Sequence, residues 1–263
     1  MNILETIKQH KIKEVAKQKG IYPVKLLEQS IFFESPCISF SEYVRDPTRS
    51  GIIAEFKRKS PSKGDINKYA DPEDVTIGYM QAGSAALSVL TDEHFFGAKK
   101  GDLPTARRFN YCSILRKDFI VDEYQILEAK SLGADAILLI AKMISVSEIE
   151  TFTALAHQLG MEVLLETHTE AEVLNHSESK ADAFGINNRN LSTFEVSVEN
   201  SIRLAEMLPK SKLKIAESGI DSMVTINQLK ANGFDGFLIG EYFMKHSNPA
   251  VKCKELINQL RIV

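Results

Sequence analysis

The sequence predicts an α/β protein, a closed (β/α)8 TIM barrel with an N-terminal helical extension. Three observations carry that expectation. From Gly51 onward, a short apolar run, a polar tip and an amphipathic stretch return in strict alternation. Gly83, Gly133, Gly160 and Gly233 stand where the amphipathic stretches should stop. The chain has 263 residues, a length at which a set of strand–helix units fits as one barrel. An open doubly wound sheet is the structural alternative, since it is built from the same right-handed crossovers.

Residues 1–50 read as the extension. Ile3, Leu4, Ile7, Ile12, Val15 and Ala16 fall near helical spacing from Met1 to Gly20. A short helix is expected from Pro23 to Ile31 and another from Ser41 to Val44. The strand candidates follow: Ile52–Phe56, Ala86–Leu90, Ser113–Arg116, Ala136–Ala141, Glu162–Leu165, Ala183–Ile186, Leu213–Ala216 and Gly236–Ile239. Helices are expected over Pro72–Ala82, Asp122–Leu132, Ser145–Leu159, Thr169–Ser177, Val198–Leu208 and Met223–Asn232. No linker, short-period repeat or low-complexity tract divides the chain, so 1–263 reads as one domain.

Composition narrows the function. Hydrophobic residues make up 44% and charged residues 25%, as in an ordinary globule. A net charge of -3 supplies no basic field for nucleic acid. Cys37, Cys112 and Cys253 lack CxxC spacing, which fits free thiols in a reducing compartment rather than disulfides or zinc. The opening MNILETIKQHKIKEV is charged throughout and has no signal-peptide core, and no apolar run is long enough to span a membrane. A cytoplasmic protein is expected, with neither nucleic-acid nor membrane partners.

The stretch GIIAEFKRKSPSKGDI, Gly51 to Ile66, concentrates the chemistry. Strand side chains repeat every second residue, so Glu55 and Lys57 share one face while Ala54 and Phe56 take the other. An acid and a base on one face of a buried strand require that face to be wet or catalytic. An edge strand with a solvated face is the plain alternative. In a barrel, functional side chains project from the C-terminal strand ends. Those ends carry Glu55, Lys57, Thr91, Glu93, Lys117, Lys142, Glu166, Asn187, Glu217 with Ser218, and Gly240. Lys142 reads as a solvated end. Ser218-Gly219-Ile220, Ile239-Gly240-Glu241 and Asn187-Asn188-Arg189 offer backbone N–H groups ahead of helices, and with Ser60 and Arg189 they fit a phosphate.

AEFKRKSPSKG, LTDEHFF, LRKDFI, LLETHTEAE, GINNRNL, AESGI and FLIGEYFMK, in this order and spacing, resemble the indole-3-glycerol phosphate synthase family of tryptophan biosynthesis. The resemblance spans essentially the whole chain. It implies a (β/α)8 barrel using neither metal nor organic cofactor. The implied reaction is ring closure, decarboxylation and dehydration of 1-(2-carboxyphenylamino)-1-deoxyribulose 5-phosphate. By the same resemblance Lys117 is the general acid and Glu166 the second proton-transfer group. Lys57 would hold the substrate carboxylate, and Glu55 and Glu217 would keep the lysines charged. Asn187 would contact substrate hydroxyls, and Ser218 would be a ligand of the substrate. Ser60, Arg189, Gly219 and Gly240 would contact the phosphate, with Phe96, Phe119, Leu138 and Leu191 forming the wall for the anthranilate ring. Some relatives carry serine where this chain has Glu241, whose carboxylate is expected to turn away from the phosphate. The histidines lack ligand-like spacing, and no metal is assigned. Rival readings are an isomerase of the phosphoribosylanthranilate type, a Schiff-base aldolase and a non-catalytic sugar-phosphate-binding barrel.

Overall fold

The computed structural model of the chain describes residues 3–189 and 195–260. Eight parallel strands close on themselves: β1 (Ile52–Phe56), β2 (Ala86–Leu90), β3 (Ile114–Lys117), β4 (Ala136–Ile140), β5 (Glu162–Thr167), β6 (Ala183–Asn187), β7 (Leu213–Glu217) and β8 (Gly236–Ile239). Each pairs with its neighbours in sequence, and β1 pairs with β8 through Ile52 opposite Phe237. The open-sheet alternative is thereby excluded.

Strand composition explains the closure. β1, β2 and β4 are buried along their whole length, as expected of strands covered by helices on one side and filled by barrel side chains on the other. The intervening helices start at side-chain caps that bind free N–H groups: Asp71, Asp122, Ser145, Thr169, Ser197 and Ser222. Ser145 and Glu148 complete a reciprocal capping box.

Several strands run further than their apolar runs predict. β5 continues to Thr167, β6 to Asn187 and β7 to Glu217. The neighbouring backbone sustains the ladder there, with Ile140 opposite Glu166 and Asn187 opposite Glu217. β3 is shifted by one residue, so Lys117 is its last member. Helices at Glu93–Phe96, Asp102–Phe109, Glu241–Met244 and Pro249–Leu260 were not foreseen. A small antiparallel hairpin, Lys59–Ser60 with Gly64–Asp65, replaces the expected polar turn after β1.

Three helices precede the barrel: α1 (Ile3–Ile21), α2 (Val24–Leu27) and α3 (Phe40–Arg45). The predicted helix to Ile31 stops at Leu27. Ser30 lies just beyond, donating its hydroxyl to the Ser131 carbonyl and accepting from the Phe32 N–H, a local alternative to helical bonding. In α1 the buried residues Leu4, Ile7, Lys11 and Val15 form one stripe at helical spacing. The lysine in that stripe is 1% exposed, and its Nζ lies 2.9 Å from Asp118 Oδ1 and 3.0 Å from both Asp92 Oδ2 and Glu14 Oε1.

Burial alone would lower the Lys11 pKa, but Asp118, Asp92 and Glu14 outweigh it and raise it above its ordinary value. Burial likewise works against ionised Asp118, yet Lys11 and Arg116 hold its carboxyl well below the usual range. Arg116 in turn reaches Asp118 at 3.0 Å and Glu128 at 2.6 Å. The extension is therefore fastened to the residue following Lys117 by a buried charge network. Cys112 and Cys253 are buried free thiols, which burial pushes up to about 12. Among the described residues, no helix is long and apolar enough to cross a membrane.

Lys11→Met should cost about 3–5 kcal/mol in chemical denaturation, because Asp92 and Asp118 lose a buried cation. Lys19→Met, which removes the exposed pair with Asp122, should cost less than about 1 kcal/mol. Equal effects would show that the buried network does not anchor α1.

Candidate active site

The C-terminal ends of the strands meet around one cavity. Glu55 lies in β1 and Lys57 directly follows it, and the two side chains meet as their spacing predicts, with Lys57 Nζ 2.7 Å from Glu55 Oε1. Ser88 of β2 approaches the other Glu55 oxygen at 3.5 Å. Lys117 closes β3 and reaches across the mouth, its Nζ 3.1 Å from Glu166 Oε2 and 3.1 Å from Glu217 Oε2. Asn187 donates through Nδ2 to Glu166 Oε1 at 3.0 Å and accepts from the Arg189 N–H through Oδ1. Strands β3, β5, β6 and β7 thus each contribute one part of a connected polar group, with the Glu55–Lys57 pair beside it.

Glycine makes room for the carboxylates. A Cβ on Gly185 would lie 2.2 Å from Glu217 Oε1, and one on Gly240 would lie 2.4 Å from Glu55 Oε1. Both acids occupy space that any larger residue would fill.

The electrostatics separate the two acids on Lys117. Burial opposes the ammonium, but Glu166, Glu217 and Glu55 together raise the Lys117 pKa well above its ordinary value. Burial also disfavours ionised Glu166; Lys117, His168 and Asn187 overcome it and hold this carboxyl below the usual range. Among the described residues, Glu217 has Lys117 alone as a cationic partner. Burial, with the like charges of Glu166 and Glu55, pushes it up to about 7.

The anion-side candidates also converge on the cavity. Ser218 (φ 68°) and Gly219 (φ 66°) turn the chain sharply after β7, and Ser218 is the one non-glycine with positive φ among the described residues. Asn188 secures this turn by donating to the Ser218 carbonyl at 2.7 Å. A Cβ on Gly219 would fall 2.3 Å from Val196 Cγ1, so only glycine fits. Ser60 lies in the hairpin after β1, and Arg189 reaches Ser62 Oγ at 3.4 Å. Gly240 precedes the helix Glu241–Met244.

Glu241 corrects an expectation. Its side chain faces the cavity, with Oε2 3.6 Å from Arg189 Nη2 and Oε1 3.9 Å from Lys63 Nζ. Arg189 and Lys63 are the opposite charges within its reach, and they draw it inward.

On the apolar side, Phe96, Phe119 and Leu138 line the same cavity, the two rings 5.8 Å apart. Ile3, Leu4 and Ile7 of α1 border it as well. Leu191 lies outside the described residues. Lys142 is exposed, as expected of a solvated end.

Sequence reasoning missed His168, 3.0 Å from Glu166 Oε1, and the Lys11–Asp118 tie behind Lys117. The histidine carried a usable signal: it stands two residues after Glu166, just past the end of β5. The lysine carried a weaker one, a charge within the apolar stripe of α1. Among the described residues, no group of three or more His, Cys, Asp or Glu side chains is placed to share a metal ion.

Residues 4–256 match the family model described as Indole-3-glycerol phosphate synthase. The chain belongs to the indole-3-glycerol phosphate synthase family. It is 45% identical to the indole-3-glycerol phosphate synthase of Bacteroides thetaiotaomicron over 260 residues, covering 99% of each chain. With the synthase of Neisseria gonorrhoeae it shares 41% identity, covering 93% of this chain and 95% of that one. The Lachnoclostridium phytofermentans synthase is 39% identical, with 97% and 98% covered. These family members match the chain along its length, extension included.

Gly240→Ala should displace Glu55 and cost about 1–3 kcal/mol, the usual scale of overpacking. Gly101→Ala should be near neutral, since its Cβ would meet only Thr105 Oγ1 at 4.0 Å. Urea unfolding of both variants checks this; no difference between them would contradict the packing of Glu55.

Proposed function

We propose that Lys117 is the general acid and Glu166 the general base of the indole-3-glycerol phosphate synthase reaction in this chain. The protein is an enzyme of that family, a carboxy-lyase of tryptophan biosynthesis that acts on a small molecule. Its substrate is 1-(2-carboxyphenylamino)-1-deoxyribulose 5-phosphate. The observation that most supports the two roles is the position of the Lys117 ammonium, bonded to Glu166 and Glu217 between an apolar wall and an anion-binding rim.

Ring closure brings an aromatic carbon onto the ketone, and the developing alkoxide needs a proton. Lys117 carries one in a site shielded from water. An ammonium flanked by two carboxylates is a reluctant acid, and loss of one negative charge makes it a better one. Glu217, with its proton affinity near neutrality, supplies that adjustment. Decarboxylation returns the electrons of the broken C–C bond to the ring. Dehydration then requires a proton to be taken from carbon while the hydroxyl leaves as water with a proton from an ammonium, for which Lys57 is the second lysine at the mouth. Glu166 suits the removal of the carbon proton because Lys117, His168 and Asn187 keep it ionised.

Lys57 would face the substrate carboxylate, held in place by Glu55. Asn187 would serve both Glu166 and the substrate hydroxyls, and Ser218 the substrate beside it. Ser60, Arg189 and the backbone at Gly219 and Gly240 would receive the phosphate, the glycines permitting close approach. Phe96, Phe119 and Leu138 would take the anthranilate ring, closed over by α1. Residues 1–50 would then act as part of the enzyme's single domain. A cytoplasmic monomer that binds no nucleic acid and uses no cofactor completes the reading; the net charge of -3 agrees with the lack of a nucleic-acid partner.

Purified protein should form indole-3-glycerol phosphate from the carboxyphenylamino-deoxyribulose phosphate, followed by indole fluorescence. Lys117→Met keeps much of the stem and removes the proton, so kcat should fall about a hundredfold or more with a smaller change in KM. Near-normal turnover in that variant would transfer the acid's role to Lys57.

A further inference from the structure

We infer that His168 is a positioning residue for Glu166, an imidazolium clamped between that carboxylate and Glu172. The inference rests on the assignment of Glu166 as general base. Glu166 is the next-to-last residue of β5, and His168 directly follows the strand. His168 is 7% exposed, with Nε2 3.0 Å from Glu166 Oε1 and Nδ1 3.6 Å from Glu172 Oε2. By distance these are ion pairs rather than aligned hydrogen bonds, and neither ring nitrogen has any other partner among the described residues. The second carboxylate is itself fixed. Glu172 lies in the first turn of the helix Glu170–His176, and its Oε2 accepts from the His168 N–H at 2.8 Å.

The protonation state follows from this surrounding. Burial disfavours the imidazolium, but Glu166 and Glu172 outweigh it and raise His168 to about 9. Beyond Glu166 stand the Lys117 ammonium and the Asn187 amide, and past Lys117 stands Glu217. His176, on the same helix as Glu172, is lowered by burial and adds no competing cation at neutral pH. A cationic ring has N–H groups for both carboxylates. A neutral ring has one N–H, and its other nitrogen turns a lone pair toward the second carboxylate. Loss of the proton therefore releases the clamp on one side and leaves Glu166 and Glu172 in mutual repulsion across the ring.

The consequence is a specific alkaline limb. Lys117 keeps its proton well above its ordinary range, so a decline of kcat near pH 9 belongs to His168. The folded-state pKa is raised, so the clamp is intact below the ordinary histidine range and is lost as pH rises through about 9.

The test is kcat and KM between pH 6 and pH 10 for the full-length enzyme and for His168→Gln, Glu172→Gln and Glu166→Gln. The parent enzyme should lose kcat with a midpoint near pH 9 at nearly constant KM. In His168→Gln the limb should vanish and kcat at pH 7.5 should fall roughly tenfold, with KM within roughly twofold, since the substrate is bound elsewhere. Glu172→Gln removes one counter-charge and should move the limb to lower pH, a result that holds even if His168→Gln folds poorly. An unchanged alkaline limb in His168→Gln or in Glu172→Gln would overturn the inference. Glu166→Gln reports separately: near-full kcat there would remove Glu166 as the base, whatever the histidine variants show.

Discussion

The structure depends on one ammonium shared by two buried carboxylates. Lys117 stands at the centre of the barrel mouth because β3 ends there, and it is stabilised because β5 and β7 deliver Glu166 and Glu217 to the same point. Charges this deeply buried are tolerated only when paired and hydrogen-bonded. Much of the surrounding sequence meets that requirement. Gly185 leaves the volume that Glu217 fills, and Gly240 does the same for Glu55. Behind the site, Lys11 of the extension neutralises Asp118, next to Lys117, so the N-terminal helix and the end of β3 are held by the same charges.

Two carboxylates touching one cation would titrate alike in identical surroundings. Their surroundings differ. Glu166 is also held by the Asn187 amide and faced by His168, whereas Glu217 sees further negative charge from Glu166 and Glu55. One acid is kept ionised, and the other takes its proton near neutrality. Such divergence between neighbouring carboxyl groups is how a single pocket can hold both a base and a proton reserve. The opposite rim of the cavity is built differently, from backbone turned sharply at Ser218 and Gly219 and from cations at Arg189 and Lys63 that Glu241 already engages.

Local sequence pattern made the barrel legible. β1, β2 and β8 fall where apolar runs place them, and helix ends fall at glycines, because strand burial and helix termination are decided by a few adjacent residues. Polar residues that extend β5, β6 and β7 hid those strand ends, since the ladder there is sustained by neighbours distant in sequence. The short helix Glu93–Phe96 starts at Asp92, whose cap on Phe95 also serves Lys11; that double use is visible only in three dimensions. The charged residues at the strand ends were legible as a set, but their partners were not. Which lysine meets which glutamate depends on the stagger of the closed barrel, and the inward turn of Glu241 depends on cations from two other loops.

The most direct test is the protonation state of Lys117 itself, read from the nitrogen-15 resonance of its Nζ and assigned by its loss in Lys117→Met. With Glu166 and Glu217 in contact, the resonance should remain that of an ammonium from pH 6 to pH 10. A transition to neutral amine within that range would contradict an ammonium held between two carboxylates.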